Sequence, residues 1–510
     1  MEIDRKSIHM RRTKGKEEVM ITLDDDFMLP DTCPDIKQKI KDRGDVVIEK
    51  VRGMDEKISV SGYLKYELLY YGEKDCGSTQ GKIYFEELIG MEGISPQDII
   101  KCTAKVEDLS IHIIHSRKIS IKALIKIAVV ADSISTADVV CKIQTDNIQC
   151  KNKKISTTNL ISSQKDIYRI KESVTLPKTM DVPDKINWYE MEIEGMECRL
   201  REKDLELKGE LVFFCIYSSN QESKPQFYNE RIPFSGKISI NAGSENSFPD
   251  INVNMSEKNI TLKADGNGEM RLVDLEALLD LDIKVYEEDE WDVLLDAYSP
   301  NKGIKLDKEK IQCENMVLKN NMQCRVEDVK SLTDRDVMQL LNCTGSVHIE
   351  DVSEDSEGVV VEGGIVADLM YLRASEDESI GFARHKMPFS QRIDGIKNVS
   401  GYHFNCKEQS LKINGVLMNG EVSIKALVGI DIMVMETKEE ECVLKVVEGE
   451  PDYKRMRELP GITGYITMEE DTLWEIAKRY GTTVSNIMET NNLVTEEIKP
   501  GMKILVVKSY

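Results

Sequence analysis

Apolar and polar residues alternate along three similar segments of the chain, and this is the pattern of a half-buried β-strand. The segments are ISIKALIKI at 119–127, VDLEALLDL at 273–281 and VSIKALVGI at 422–430. Their central alanines are Ala123, Ala277 and Ala426. By composition the stretch 271–281 also fits a helix, but the strict alternation favours strands in all three segments.

A second block also occurs three times, and it contains a glycine followed eight residues later by a tyrosine. The pairs are Gly62/Tyr70, Gly209/Tyr217 and Gly363/Tyr371, and successive glycines lie 147 and 154 residues apart. The second and third copies also share Ile232-Pro233-Phe234-Ser235 and Met387-Pro388-Phe389-Ser390. Self-similarity at a nearly fixed period predicts three tandem domains of about 150 residues each.

Runs of β-branched and aromatic residues between Gly, Asn, Asp and Ser predict that these repeats are mostly β, as β-sandwiches or open barrels. Asp265-Gly266-Asn267-Gly268 fits a hairpin turn. The equal spacing allows either beads on a string or a packed rod. The predicted divisions are a basic N-terminal tail (1–20), repeats at 21–160, 161–318 and 319–442, a linker rich in Gly, Pro and charge (443–463), and a C-terminal domain (464–508).

The C-terminal segment has the pattern of a small α+β domain in the order strand, helix, helix, strand. Thr472 and Glu475 have the spacing of a capping box. Gly481 suits the left-handed position that ends a helix, and Thr482 or Thr483 begins the second helix. The apolar face of the first helix comprises Leu473, Ile476, Ala477 and Tyr480.

Composition excludes several classes of protein. The 510 residues carry 68 basic and 91 acidic side chains, a net charge of −23, which disfavours general binding to nucleic acid. No window approaches the roughly 18 apolar residues of a membrane span. The polar N-terminus lacks the apolar core of a secretion signal. The twelve cysteines are scattered without a CxxC motif, as expected for reduced thiols of a cytosolic protein.

No motif for catalysis or for a metal is recognisable. GxSxG, HExxH and phosphate-loop patterns are missing from the sequence, and His112 and His115 would point to opposite faces of a strand. We therefore predict no catalytic residue, metal or cofactor. The N-terminal basic cluster is expected to be exposed, with an acidic partner or lipid head groups as an alternative role; it comprises Arg5, Lys6, Arg11, Arg12, Lys14 and Lys16.

The C-terminal stretch DTLWEIAKRYGTTVSNIMETNNL, followed by IKPGMKILV, resembles a LysM domain, although Glu470-Asp471-Thr472 replaces the usual Gly-Asp-Thr. The resemblance implies a groove between the loop before the first helix and the segment after the second. The candidate partner- or glycan-binding residues are then Asp471, Thr472, Trp474, Asn491, Asn492 and Leu493. Asp471 and Thr472 also fit as helix caps, and Trp474 as either an interface anchor or core padding.

Upstream, Pro30-Asp31-Thr32-Cys33-Pro34-Asp35-Ile36 with the glycine–tyrosine block resembles the SPOCS domain of spore-forming Firmicutes. Val182-Pro183-Asp184-Lys185-Ile186 is a fainter match. Three such repeats before one LysM domain resemble the SipL family of clostridial spore coat morphogenetic proteins. The resemblance implies a non-enzymatic adaptor in the mother-cell cytoplasm, at the forespore surface, whose LysM domain docks onto the SpoIVA-type coat ATPase.

The alternative is a cell-wall or cortex protein that binds peptidoglycan or chitin-like N-acetylglucosamine chains through the LysM domain. Such a protein must reach the wall, and no export signal is recognisable. The LysM segment also carries seven acids against five bases.

Overall fold

β-strands account for most of the chain in the computed structural model. The model describes residues 2–509 with the exception of 73–75, 146, 202, 220–224, 242, 245, 335, 355–357, 376–377, 395–401 and 451–452. For residues 9–12, 134, 135, 453, 455 and 456 it describes the backbone alone. The predicted fold, three β repeats followed by a small βααβ domain, is confirmed.

Each repeat contains six strands. Repeat 1 consists of β1 (Glu2–Met28), β2 (Gln38–Met54), β3 (Lys57–Tyr71), β4 (Cys76–Gly90), β5 (Ile99–His115) and β6 (Lys118–Gln144). Repeat 2 consists of β7 (Gln149–Thr175), β8 (Lys185–Arg201), β9 (Asp204–Ser218), β10 (Gln226–Ser239), β11 (Phe248–Lys263) and β12 (Leu272–Tyr298). Repeat 3 consists of β13 (Gly303–Ser331), β14 (Val337–Glu354), β15 (Gly358–Arg373), β16 (Ile380–Asp394), β17 (Tyr402–Met418) and β18 (Glu421–Gly449).

The first strand of every repeat pairs antiparallel with the last. In repeat 1 the sheets have the orders β1-β6-β5 and β2-β3-β4, and repeats 2 and 3 have the same two three-stranded sheets. The long ladder runs from Glu2 opposite Gln144 to Met28 opposite Lys118. Two sheets facing each other make each repeat a β-sandwich.

The middle strands of the two sheets supply the core of each sandwich. In repeat 1, alternate residues of β3 and β6, such as Leu64 and Ile125, are fully buried, and Ala123 lies among them. The corresponding cores of repeats 2 and 3 contain Ala277 and Ala426. Residues 272–281 are therefore in a strand, and the helical alternative is wrong there.

The recurring glycine of the second block leaves room for an aromatic ring from the next strand. Gly62, Gly209 and Gly363 lie directly opposite Phe85, Phe234 and Phe389 in the three sheets. A Cβ atom on Gly363 would overlap the carbonyl oxygen of His348 and lie 2.7 Å from Cζ of Phe389. The glycine and the phenylalanine of the Pro-Phe-Ser motif thus form one packing unit.

We expect Gly363→Ala to destabilise the protein by about 1–3 kcal/mol, because the added methyl group meets backbone as well as a packed ring. The adjacent Gly364→Ala is the matched control. Its Cβ would meet only the flexible Glu350 carboxylate at 3.4 Å, so we expect a small effect or a gain of up to about 1 kcal/mol. Urea unfolding of the two variants checks this, and equal losses would contradict the packing argument.

The tyrosine of the second block anchors the loop that precedes the second strand. Tyr70 and Tyr217 are fully buried, and their hydroxyls donate to the carbonyl oxygens of Pro34 and Asp181 at 3.1 and 3.3 Å. Tyr371 likewise donates to the Asp334 carboxylate at 2.8 Å. The hydroxyl reaches the same loop in all three repeats, which explains why the tyrosine recurs.

The loop that precedes the second strand is held by an arginine in repeats 1 and 2. Arg117 donates to the carbonyl oxygen of Pro30 at 3.0 Å and to the Asp35 carboxylate at 2.7 Å. In repeat 2, Arg271 donates to the carbonyl oxygens of Pro177 and Met180 at 2.9 and 2.7 Å. Arg271 thus holds the equivalent loop of repeat 2 through residues that precede the weaker sequence match at 182–186.

The three repeats pack around a common centre, which is neither a string of beads nor a rod. Strand β6 contacts both β12 and β18, and β12 contacts β18. Equivalent residues Val140, Leu294 and Val443 share one apolar cluster. A second such cluster draws on all three repeats, and it contains Ile8, Ala137, Val139, Ile155, Val293, Ile311, Cys313 and Cys442.

A buried ion cluster lies where the smaller sheets of the three repeats meet. The Lys41 ammonium of repeat 1 contacts the Glu190 carboxylate of repeat 2 at 2.5 Å and the Asp368 carboxylate of repeat 3 at 3.3 Å. Glu190 also accepts from Nε1 of Trp188 at 3.0 Å and from Nδ2 of Asn342 at 2.9 Å. Lys41 and Glu190 are each only 3% exposed, so their charges depend on one another.

Burial and charge act in opposite directions on these two groups. Burial alone raises the pKa of a carboxyl, but Lys41 and Arg43 outweigh it and lower the pKa of Glu190 to about 2. Burial alone would also lower the pKa of Lys41, but Glu190 and Asp368 raise it. Both groups are therefore ionised at neutral pH.

The predicted domain boundaries differ from those of the structure. Repeat 1 ends with β6 at Gln144 and repeat 2 ends with β12 at Tyr298, earlier than the predicted divisions after 160 and 318, and β18 continues to Gly449 within the predicted linker. The difference arises because each repeat begins with a long strand that pairs with its last strand.

The predicted N-terminal tail is part of β1 and not a frayed end. The Lys6 ammonium lies 4.9 Å from the ring centre of Trp291, and Lys14 pairs with Asp98 at 2.8 Å. The side chains of Arg11 and Arg12 lie outside the described part of the chain. These basic residues lie in a strand that is paired with β6 but contains few large apolar side chains. For that reason the sequence predicted a tail.

The C-terminal domain follows a short helix, α1 (Tyr453–Glu458). It comprises β19 (Ile462–Ile466), α2 (Leu473–Tyr480), α3 (Val484–Asn491) and β20 (Lys503–Val507), with β19 antiparallel to β20. Across the described residues, none of the helices has the length and hydrophobicity needed to span a membrane.

Candidate partner-binding site

The ends of both LysM-like helices are capped as the sequence predicts. Thr472 and Thr483 accept hydrogen bonds from the backbone N–H groups of Glu475 and Asn486, at 3.2 and 3.1 Å. Gly481 and Asn492 end the helices in the left-handed conformation, with φ of 66° and 51°. These contacts fix the loops on either side of the helices.

Asp471 organises the loop before α2. Its carboxylate accepts from the backbone N–H of Met468 at 2.8 Å and from the hydroxyl of Tyr465 at 2.7 Å. The same two hydrogen bonds lower the pKa of Asp471. Among the predicted site residues, Asp471 and Thr472 thus have structural roles in shaping this loop.

The predicted residues after α3 tie that helix to the returning strand. The Asn491 side chain accepts from the N–H of Leu505 and donates to its carbonyl oxygen, both at 2.7 Å. Asn492 is the left-handed cap, and Leu493 packs against the domain core. Asn491 and Leu493 thus have side-chain contacts within the domain, whereas Asn492 is exposed.

Trp474 is docked on repeat 2 of the same chain. Its Nε1 donates to the Asp296 carboxylate at 2.9 Å, and its ring meets Tyr298 edge-on with the ring centres 4.9 Å apart. The Lys478 ammonium binds both oxygens of Asp296, at 2.6 and 2.8 Å. Tyr298 also donates to the carbonyl oxygen of Thr482 at 2.9 Å. Trp474 thus makes a contact within the chain and also packs against the core of its own domain, whereas its predicted role as an anchor for a separate partner stays a prediction.

Only repeat 2 has the charge that this contact requires. Each last strand has a bulge at one equivalent position, and the next residue is Lys142, Asp296 or Lys445 in repeats 1, 2 and 3. The cross-strand partners are Asp4, Lys151 and Asp307, so the positions of the acidic and the basic residue are exchanged in repeat 2. Sequence analysis missed Asp296, Tyr298 and Lys478, although an alignment of the repeats would have revealed this reversal.

The two loops that remain exposed lie away from the docked helix face. Thr467 joins their bases, because its N–H donates to the carbonyl oxygen of Met502 at 3.0 Å and its carbonyl oxygen accepts from Gly501 at 2.7 Å. Met468 is 68% exposed at the tip of one loop and Val494 is 94% exposed in the other. Four exposed acids flank these apolar tips, namely Glu469, Glu470, Glu496 and Glu497.

The described residues contain no grouping of three or more His, Cys, Asp or Glu side chains suited to a metal ion. The buried thiols are poor nucleophiles, since burial raises the pKa of Cys102 and of Cys442 to about 11.

Family models match four parts of the chain. Residues 35–114, 181–264 and 336–414 match the model described as SipL, SPOCS domain, and residues 465–507 match the LysM domain. The chain has the domain composition of a SipL-like protein, with three SPOCS domains followed by one LysM domain. The three SPOCS matches cover β2–β5, β8–β11 and most of β14–β17, so the long first and last strands of each repeat lie outside the family signature.

The SipL-like architecture makes this a sporulation-related protein with a domain of the peptidoglycan-binding LysM type. Both families are binding domains. Comparison with curated proteins and with solved structures gave no match.

Proposed function

We propose that this SipL-like chain is a non-enzymatic adaptor of spore coat assembly. Its LysM domain binds the SpoIVA-type coat ATPase at the forespore surface, in the mother-cell cytoplasm, and the SPOCS repeats form the scaffold. The observation that supports this most directly is the fixed orientation of the LysM domain. Trp474 and Lys478 hold one face on repeat 2, and the loops with Met468 and Val494 remain available.

The chemistry of these loops suits a protein partner. Apolar tips beside four carboxylates fit a surface that offers apolar pockets and basic side chains. A neutral glycan supplies no cation for the carboxylates, and the tryptophan of this domain is already packed on Tyr298. Peptidoglycan or N-acetylglucosamine oligomers are the alternative ligand, supported by the LysM family match.

The six residues predicted from sequence enter this proposal mainly through the loops that they shape. Asp471 and Thr472 fix the loop that carries Met468, and Asn491, Asn492 and Leu493 fix the start of the loop that carries Val494. Trp474 orients the whole domain. We therefore place the partner contact on the loop tips.

We expect Glu470→Lys in the full-length chain to weaken capture of the purified coat ATPase at least tenfold, because it places a cation against a basic partner surface. Met468→Asp should have a similar effect through loss of the apolar tip. The matched control is Glu489→Lys, an equal charge change at an exposed position of α3. Surface-immobilised ATPase with the soluble variants as analytes gives the affinities.

Purified peptidoglycan in a sedimentation assay provides the second arm of the experiment. Binding to the ATPase that is insensitive to both loop variants would contradict the proposed surface. Sedimentation with peptidoglycan in the absence of any ATPase binding would favour the alternative function.

A further inference from the structure

The outer strand β4 of repeat 1 is a long sheet edge. It forms one side of the sheet β2-β3-β4 and spans 15 residues. Among the described residues, no hydrogen bond from outside this sheet reaches the backbone of residues 77–90. An unpaired edge of this length is a template for another strand unless the sequence protects it.

Proline protects the equivalent edge in repeats 2 and 3 but not in repeat 1. The residue just before the core phenylalanine is Pro233 in β10 and Pro388 in β16, and proline cannot donate to an added strand. In repeat 2 the Tyr168 hydroxyl also caps the carbonyl oxygen of Ser235 at 3.0 Å. The equivalent of these prolines in repeat 1 is Tyr84, which is 66% exposed.

The outward-facing residues of β4 are complementary to themselves. They are Gln80, Lys82, Tyr84, Glu86 and Leu88. If two copies of β4 pair antiparallel with Tyr84 opposite Tyr84, each Lys82 lies opposite a Glu86 of the other copy. On the inner face, Ile83 then lies opposite Phe85. Opposite charges and aromatic pairs directly across strands each contribute about 0.2–1 kcal/mol.

Other antiparallel registers that keep the same side chains on the outer face of the sheet lose this complementarity. Centring the pair on Lys82 or on Glu86 places like charges opposite each other. If two copies of β16 paired in the register centred on Pro388, Arg384 would lie opposite Arg392. Like charges as well as proline therefore disfavour the same contact in repeat 3.

We propose that two copies of this chain associate through β4, in the antiparallel register centred on Tyr84. The contact joins two three-stranded sheets into one of six strands, and its twofold symmetry closes it at a dimer. It uses repeat 1 alone and does not depend on what the LysM domain binds. The adaptor would then present two LysM domains per assembly.

A charge exchange across the interface provides the test. We expect full-length wild type to sediment as a dimer at high micromolar concentration. Lys82→Glu should sediment as a monomer, because the introduced carboxylate then lies opposite Glu86 at both symmetric positions of the interface. Glu86→Lys should behave in the same way. The double variant Lys82→Glu/Glu86→Lys restores opposite charges and should recover the dimer. The matched control is Lys386→Glu, at the equivalent position of β16, which should leave the dimer unchanged.

Tyr84→Pro provides an independent test, because it introduces the residue that repeats 2 and 3 already carry in the same register. It should abolish the dimer and leave the circular dichroism spectrum of the monomer unchanged. A wild-type chain that stays monomeric throughout the concentration range would overturn the proposal. So would a dimer that persists in both Tyr84→Pro and Lys82→Glu, or a double variant that remains monomeric.

Discussion

Replacing Lys41 by methionine should destabilise the protein by about 3–5 kcal/mol, because it leaves the Glu190 carboxylate buried among three repeats without its main counter-ion. Asp368 would lose the same partner. The effect should exceed that of an ordinary surface substitution several-fold. Urea unfolding followed by circular dichroism and by tryptophan fluorescence would measure it, since Trp188 donates to Glu190 and reports on this cluster.

Lys50→Met is the matched control, since Lys50 lies on the same strand and is exposed. The pH dependence gives a further check. The folded-state pKa of Glu190 is about 2, below its ordinary value, so its stabilising effect is complete above that ordinary value and declines as the pH falls towards 2. In Lys41→Met this decline should shrink. Equal stability of Lys41→Met and Lys50→Met would contradict the role assigned to the cluster.

Asp296→Lys should release the LysM domain from repeat 2. The variant removes the acceptor of Trp474 and Lys478 and introduces the residue type found at the equivalent positions of repeats 1 and 3. Hydrogen bonds to charged groups contribute about 1.5–3 kcal/mol each, so we expect the docking equilibrium to weaken by a hundredfold or more. Hydrogen exchange of the α2 amides should accelerate, and the Trp474 emission should shift to longer wavelength.

The matched control for this release is Glu290→Lys, an equal charge change at an exposed position of the same strand. Binding of the coat ATPase should persist in Asp296→Lys within a few-fold, because the loops that carry Met468 and Val494 do not take part in the docking contact. Unchanged exchange rates in α2 would show that the contact does not hold the domain. Loss of ATPase binding would move the partner surface towards the docked face.

The repeats and the C-terminal domain could be predicted from sequence because their determinants are local. A glycine followed eight residues later by a tyrosine, a buried alanine in an alternating strand and a threonine cap each give a pattern within a few residues. The same is true of Gly481, which ends α2 in a left-handed conformation that glycine adopts without strain. Residues with such constraints recur at fixed positions and can be recognised without a structure.

Contacts between distant parts of the chain left no comparable signal. The first half of β1 carries mostly polar and basic residues, so its pairing with β6 was not apparent. Asp296 lies 178 residues before Trp474, and nothing near either residue indicates the other. The central ion cluster unites residues from three repeats in the same way. Predicting these contacts requires knowing how the repeats assemble.

The pairing of first and last strands in each repeat also sets an order of events during synthesis. Residues 2–28 emerge from the ribosome well before residues 118–144 and cannot complete their ladder until those have followed. Contacts at such sequence separation form slowly, because the intervening chain must first be ordered. Each repeat should therefore mature only when its final strand is released, and the shared centre only after the third repeat. A nascent chain stalled before Glu421, where β18 begins, would leave β13 unpaired.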